Sequence, residues 1–141
     1  LPQTSLKVFM SPRILCVEDH LDIASYLKLL LAQNGYDVVV AGNFEQGRAL
    51  AETQRFELIL LDNGLPDGTG LELCRHIRTF DSATPIVFYS ASYDPILKIQ
   101  ALAAGAQEYV KKNSGLEVLL SALATQMAKA PRLAPLLQVS A

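Results

Sequence analysis

Short apolar runs alternate with amphipathic segments along the chain. Five runs of four to six residues are rich in aliphatic and β-branched side chains, which is typical of strands buried in a parallel sheet. The segments between them repeat apolar residues at intervals of three and four, which is typical of helices that bury one face. The predicted strands cover residues 13–17, 36–41, 58–61, 85–90 and 108–111. The predicted helices cover residues 22–33, 44–53, 70–80, 95–104 and 116–129.

Polar residues and prolines mark several predicted helix ends. Asn43 is a candidate cap for the second helix, since its side chain can accept a backbone N–H of the first turn. Pro95 stands at the start of the fourth helix, where its missing N–H is harmless. In the third helix the spacing predicts Phe80 on the inner face and Arg78 on the outer face.

Five strands that alternate with five helices through short loops require right-handed crossovers between parallel strands. The pattern therefore predicts a doubly wound α/β sheet, and five strands favour the flavodoxin-like order 2-1-3-4-5. We expect residues 10–130 to form the folded domain. We interpret residues 1–9 as a leader or a non-native remnant, and residues 131–141, which begin with the first of two prolines, as a linker or C-terminal tail.

Composition narrows the class of protein. A formal net charge of −2 argues against direct nucleic-acid binding, which needs a basic surface. No apolar run reaches the roughly 18–20 residues that span a bilayer, so no membrane segment is expected. The two cysteines, Cys16 and Cys74, lie inside apolar patterns and match no metal-binding spacing. Both are interpreted as small buried hydrophobic residues, which favours a reducing, cytoplasmic setting.

Polar side chains collect where the predicted strands end. Glu18 and Asp19 follow the first strand, Asp62 follows the third, Ser90 ends the fourth and Lys112 follows the fifth. In the order 2-1-3-4-5 these four strands lie side by side, and ligands of open α/β sheets bind at the carboxyl ends of the strands. The five side chains are therefore expected to converge on one crevice. Taken alone, Asp62 could equally be a loop cap.

The charges in this crevice indicate a cation. Two carboxylates about 4 Å apart repel by roughly 4 kcal/mol at an effective dielectric constant near 20, and three of them either raise their pKa values or hold a metal. Lys112 offsets only part of that charge. An all-oxygen site with open positions suits Mg²⁺. Mg²⁺, a serine hydroxyl and a lysine ammonium around a carboxylate favour phosphoryl transfer, with Asp62 as the nucleophile that forms an aspartyl phosphate.

Together these segments resemble the receiver domain of two-component response regulators, over about residues 13–129. The segments that carry the resemblance are 17–20 (VEDH), 61–68 (LDNGLPDG), 89–91 (YSA) and 105–112 (GAQEYVKK). It implies a regulatory phosphoacceptor domain, not an enzyme beyond its own phosphorylation and dephosphorylation. The phosphoryl donor would be a sensor histidine kinase or a histidine phosphotransfer protein, and the signal would pass to a downstream effector or output domain.

The resemblance also assigns roles to the site residues. Mg²⁺ would be held by Glu18 or its bound water, Asp19, Asp62 and the backbone carbonyl of Gly64. Ser90 and Lys112 would contact the phosphoryl oxygens.

A switch is implied as well. Phosphorylation of Asp62 would draw Ser90 toward the phosphoryl group, turn Tyr109 inward and alter the surface of the fourth helix, fifth strand and fifth helix. Lys112 is preferred over Lys111 because it lies three positions after Tyr109, as in the family, and because side chains alternate along a strand.

Three residues depart from the family pattern. Asn63 replaces an apolar residue, Gly64 offers a carbonyl without a side chain, and Asn113 replaces a frequent proline. We expect the Lys112–Asn113 peptide to stay cis despite a cost of about 3–4 kcal/mol without proline.

Two other functions stay open at this point. The first is a pseudo-receiver, an interaction domain that takes no phosphate. The second is a haloacid-dehalogenase-type phosphatase, which would need a second aspartate where Gly64 stands.

Overall fold

A computed structural model describes residues 11–129 of the protein. The interpretations of residues 1–9 and 131–141 lie outside this range. The strands are β1 (Arg13–Val17), β2 (Asp37–Ala41), β3 (Leu58–Leu61), β4 (Ile86–Ser90) and β5 (Glu108–Lys111). The helices are α1 (Leu21–Gln33), α2 (Phe44–Thr53), α3 (Gly70–Arg78), α4 (Pro95–Ala103) and α5 (Leu116–Lys129).

The five strands form one parallel sheet in the order β2-β1-β3-β4-β5, which confirms the predicted topology. Between β3 and α3, Gly64–Leu65 pairs with Gly68–Thr69 in a short antiparallel ribbon that the hydrophobic pattern does not predict. None of the described helices is long and apolar enough to cross a membrane.

Alternation of side chains along the strands divides the core into two layers. On one side of the sheet, strand residues such as Cys16 and Leu60 pack with α1 and α5; we call this the α1/α5 side. On the other, residues such as Leu61 and Phe88 pack with α2, α3 and α4; we call this the α2–α4 side. Both cysteines are buried and free, as expected, and burial raises the pKa of the Cys16 thiol to about 12.

The predicted helix starts at Asn43 and Pro95 are confirmed: the Asn43 side chain accepts an N–H from the first turn of α2, and Pro95 opens α4. The third helix is shorter than predicted. It ends at Arg78, and Phe80 is 46% exposed instead of packed inward.

Arg78 is half-buried and does not face solvent as predicted. Its Nε and Nη2 donate to the Gly105 carbonyl at 3.1 and 2.8 Å. Gly105 follows α4 with a φ of +113°, a conformation that suits glycine, and its carbonyl needs a partner in this bend.

The expected cis peptide at Lys112–Asn113 is wrong, because no peptide bond within the described residues is cis. Without proline the trans form is favoured by about 3–4 kcal/mol, and a proline, which would reduce this preference to about 0.5–1 kcal/mol, is absent at position 113.

Candidate functional site

Three of the predicted site residues point to the same side of the sheet, because side chains alternate along each strand. Glu18, Asp62 and Lys112 each lie two positions beyond a strand residue that is buried on the α1/α5 side. Those three preceding residues are Cys16, Leu60 and Val110. Because side chains two positions apart point the same way, the three charged groups meet above one core layer.

Lys112 lies between the two carboxylates. Its Nζ is 2.6 Å from Glu18 Oε1 and 3.2 Å from Asp62 Oδ2, and its side chain is 16% exposed. The neighbouring Lys111 points elsewhere: it is exposed, and its Nζ lies 5.6 Å from the centre of the Tyr93 ring. The structure thus brings together the lysine that the sequence singled out with two of its three carboxylates.

Glu18 is 2% exposed, and both of its carboxylate oxygens have partners. Oε1 accepts from Lys112, and Oε2 accepts the backbone N–H of His20 at 3.1 Å. Burial raises the pKa of Glu18, and the hydrogen bond from Lys112 only partly opposes it. Burial alone would lower the pKa of the Lys112 ammonium, but the hydrogen bond to Glu18 and the nearby Asp62 charge outweigh it and raise that pKa.

Asp19 completes an acidic cluster. Oxygens of Glu18, Asp19 and Asp62 all lie within 4.8 Å of one another, with Asp19 exposed and Asp62 half-buried. If all three are ionised, one ammonium leaves a local excess of two negative charges, which a divalent cation would balance. The donors are all oxygen, as Mg²⁺ prefers, and one side of the cluster faces solvent, where waters or phosphate oxygens could complete the coordination. These residues therefore fit Mg²⁺.

Gly64 lies on the rim of the same cleft as Asp62, Ser90 and Lys112. A Cβ placed on Gly64 would meet nothing within 4 Å, so this rim is open. A second cleft, at the opposite ends of the strands and between the C-terminal ends of α2 and α3, contains none of the predicted site residues.

Close backbone packing fixes the loop that follows Asp62. A Cβ on Gly70 would lie 2.3 Å from the Asp62 carbonyl oxygen, so only glycine fits at the start of α3. The Asn63 side chain accepts the backbone N–H of Leu71 at 3.0 Å. Asn63, whose polar side chain departs from the family pattern, therefore accepts a first-turn N–H of α3, next to the Thr69 cap, instead of packing in the core.

Asp67 holds the far end of the same loop, a role that the sequence analysis missed. Its two carboxylate oxygens accept the backbone N–H groups of Phe44 and Glu45 at 2.7 and 3.1 Å. Partial loss of water works against ionisation, but these hydrogen bonds outweigh it and lower the pKa of Asp67. The loop is thereby tied to the N-terminus of α2, a favourable place for an anion.

Ser90 and Tyr109 meet at the backbone of Ser92. The Ser90 side chain is buried, and its Oγ accepts the Ser92 N–H at 3.2 Å. The Tyr109 hydroxyl donates to the Ser92 carbonyl at 3.3 Å, and its ring stacks on Phe88 with centroids 6.2 Å apart. Both side chains lie toward the α2–α4 side. Ser92 was not singled out from the sequence, although its position two residues after Ser90 could have indicated it.

Two more contacts of the site were not predicted, because each joins side chains from two separate segments of the chain. The ring of Tyr89 has its centre 5.9 Å from Lys112 Nζ. Asn113 Nδ2 donates to the Tyr93 hydroxyl at 2.7 Å and so links the loops that follow β4 and β5.

Curated relatives give an independent view of the chain. It is 35% identical over 120 residues to the response regulator ArlR of Staphylococcus saprophyticus, covering 85% of this chain and 54% of that protein. It is 39% identical over 110 residues to the KDP operon transcriptional regulatory protein KdpE of Escherichia coli, covering 78% of this chain and 48% of that protein. The chain thus spans about half the length of these relatives.

Solved structures agree on the fold. A CheY-like receiver domain protein from Methanospirillum hungatei superposes with a TM-score of 0.81 at 28% identity, over 84% of this chain and 95% of that one. The response regulator TrrA from Thermotoga maritima, solved in complex with Mg²⁺ and BeF, gives a TM-score of 0.76 at 28% identity, over 82% and 98% of the two chains.

A family model described as the response regulator receiver domain matches residues 14–124, a span that contains the acidic cluster, Ser90, Tyr109 and Lys112. The chain belongs to the receiver domain family of two-component response regulators.

Proposed function

We propose that this domain accepts a phosphoryl group on Asp62 from a sensor histidine kinase or a histidine phosphotransfer protein, with Mg²⁺ bound by the acidic cluster. The observation that carries the proposal is the placement of the Lys112 ammonium between the carboxylates of Glu18 and Asp62, at 2.6 and 3.2 Å. A lysine so held beside a half-buried aspartate stabilises charge that develops on a transferring phosphoryl group.

Each residue has a defined task in this transfer. Asp62 Oδ attacks phosphorus and forms the acyl phosphate bond, while the bond from phosphorus to the donor nitrogen or oxygen breaks and the donor keeps the electron pair. Lys112 donates hydrogen bonds to a phosphoryl oxygen. Mg²⁺, when bound by Glu18 or its water, Asp19, Asp62 and the Gly64 carbonyl, would supply the positive charge that the transferring group requires.

Ser90 and Tyr109 convert the new phosphoryl group into a change of surface. The Ser90 hydroxyl, which accepts from the Ser92 N–H, would turn to donate to a phosphoryl oxygen. Because Tyr109 donates to the carbonyl of the same Ser92, movement of this loop would shift the tyrosine and, with it, the surface of α4, β5 and α5. That surface would signal to an output domain or a separate effector in the cytoplasm.

The test is phosphorylation by acetyl phosphate, followed by intact mass spectrometry. With Mg²⁺, we expect one acid-labile phosphoryl group per chain on the wild type and on Asp67→Asn, a matched aspartate in the same loop, but none on Asp62→Asn. Chelation of Mg²⁺ should abolish labelling.

Absence of label on a folded wild type would overturn the proposal and favour the pseudo-receiver. Release of many phosphates per chain would point to the phosphatase.

A further inference from the structure

Tyr89 lies beside the Lys112 ammonium. Its ring centre is 5.9 Å from Lys112 Nζ, within the range of a cation–π contact. Tyr89 in β4 pairs with Val110 in the parallel strand β5, and Lys112 lies two residues after Val110. Both side chains therefore project to the α1/α5 side, where Tyr89 packs half-buried against the core.

Lys112 needs such support because its four-carbon side chain is flexible and its ammonium is a compact charge that two carboxylates attract at once. Glu18 Oε1 at 2.6 Å is the shorter of these contacts, and Asp62 Oδ2 at 3.2 Å is the longer. The two carboxylates attract the ammonium but do not fix the rotamers of the methylene chain that carries it. A ring that is held by the core excludes some of these rotamers on one side of the lysine.

The ring and not the hydroxyl is the relevant group. Among residues 11–129 the Tyr89 hydroxyl has no hydrogen-bond partner, so its removal should leave the contact with Lys112 intact. An aliphatic side chain of similar size would keep the packing on the core but would lose the negative π face.

We propose that Tyr89 is a positioning residue, whose ring holds the Lys112 ammonium in line with Asp62. The effect on phosphorylation rests on the function proposed above, whereas the contact itself does not.

Two substitutions separate the ring from the packing. Tyr89→Phe keeps the π face, and Tyr89→Leu keeps only apolar bulk. We expect Tyr89→Leu to slow phosphorylation by acetyl phosphate about twofold to fivefold, which corresponds to the roughly 0.5–1 kcal/mol of a cation–π contact, and Tyr89→Phe to match the wild type.

Two readouts do not depend on phosphorylation. The side-chain NMR signals of Lys112 should lose their ring-current shift in Tyr89→Leu and retain it in Tyr89→Phe. In urea unfolding, Tyr89→Leu should reduce the folding equilibrium constant less in a Lys112→Ala background than in the wild type.

Equal behaviour of Tyr89→Leu and Tyr89→Phe in the NMR spectra, or additive effects in the unfolding cycle, would show that Tyr89 is a core residue only. If the wild type takes no phosphate, the proposed function fails, while the NMR and unfolding results still decide the contact.

Discussion

At the scale of single residues, Gly70 shows how backbone packing supports the site. Ordinary helix propensity favours alanine over glycine by up to about 1 kcal/mol. Here the added methyl group would lie 2.3 Å from the carbonyl oxygen of Asp62, the proposed phosphoryl acceptor. Backbone atoms on both sides of this contact are held by hydrogen bonds between Asn63 and the start of α3, so neither side yields easily.

Gly70→Ala should therefore lower the free energy of unfolding by about 1–3 kcal/mol, the usual cost of overpacking, and should slow phosphorylation of Asp62. Urea unfolding and acetyl phosphate labelling measure the two effects. Gly64→Ala is the control, because its Cβ would meet nothing within 4 Å and stability should not fall. An unchanged or raised stability for Gly70→Ala would contradict the packing that the structure shows.

Lys112 gives a second prediction at this scale. Its removal leaves Glu18 buried beside Asp62 without a compensating charge, and an unpaired buried charge or acceptor costs about 1–3 kcal/mol or more. Lys112→Ala should be destabilised by about that amount at neutral pH, and Mg²⁺ should stabilise it more than the wild type, since the cation replaces the lost charge.

Thermal unfolding with and without Mg²⁺ tests the Lys112 prediction. Lys111→Ala is the matched control and should change little, because Lys111 is exposed. A larger loss in Lys111→Ala than in Lys112→Ala would show that the wrong lysine has been assigned to the site.

At the scale of elements, the loops after β4 and β5 carry Ser90 and Lys112 and are joined by the hydrogen bond from Asn113 to Tyr93. Asn113 stands where the family often has proline, so this bond tethers a loop that lacks that ring. Tyr93 is 68% exposed, and a hydrogen bond there contributes little to global stability.

Tyr93→Phe should accordingly leave the unfolding midpoint nearly unchanged but speed amide hydrogen exchange in residues 91–94 and 112–115, since local opening costs less without the tether. Exchange measured by mass spectrometry checks this. The control is Tyr26→Phe. Tyr26 is also exposed but lies on α1, so its substitution should leave both loops unaffected. Unaltered exchange in Tyr93→Phe would mean that the two loops are held independently.

The same scale separates what the sequence could predict from what it could not. Strands and their order follow from apolar runs and short crossovers, and Glu18, Asp62 and Lys112 converge because each lies two residues beyond a buried position on one side of the sheet. Periodicity does not specify which side chains from separate segments meet, so the contacts of Tyr89 with Lys112 and of Asn113 with Tyr93 were not predicted. The position of Phe80 was predicted wrongly because α3 already ends at Arg78. The cis peptide was predicted wrongly because it was inferred from a family in which proline is frequent at this position.

At the scale of the whole molecule, the sheet separates the charged residues proposed for phosphoryl transfer from the tyrosine proposed for the response. Glu18, Asp62 and Lys112 project above the α1/α5 side, whereas Tyr109 packs on the α2–α4 side against Phe88. Strand β4 serves both sides, because Tyr89 and Ser90 are consecutive and point in opposite directions. In the proposed function, a phosphoryl group on Asp62 would therefore act on the far side of the sheet by way of Ser90 and the Ser92 backbone, which accepts a hydrogen bond from Tyr109.

This division predicts that phosphorylation and response can be uncoupled. Tyr109→Phe keeps the ring that stacks on Phe88 and removes only the donor to the Ser92 carbonyl, a hydrogen bond with a net contribution of about 0.5–1.5 kcal/mol. Labelling of Asp62 by acetyl phosphate should stay within about twofold of the wild type, because the hydrogen bond and the ring contact of Tyr109 are made with Ser92 and Phe88, and not with the acidic cluster. The chemical-shift changes in α4, β5 and α5 on addition of Mg²⁺ and beryllofluoride should shrink, because the loop movement no longer pulls on the tyrosine. Tyr36→Phe is the control: Tyr36 lies one residue before β2, at the opposite edge of the sheet from β5, and this variant should keep the full response. Loss of phosphorylation in Tyr109→Phe would place the tyrosine in the chemistry itself, and an undiminished shift pattern would mean that the signal crosses the sheet by another route.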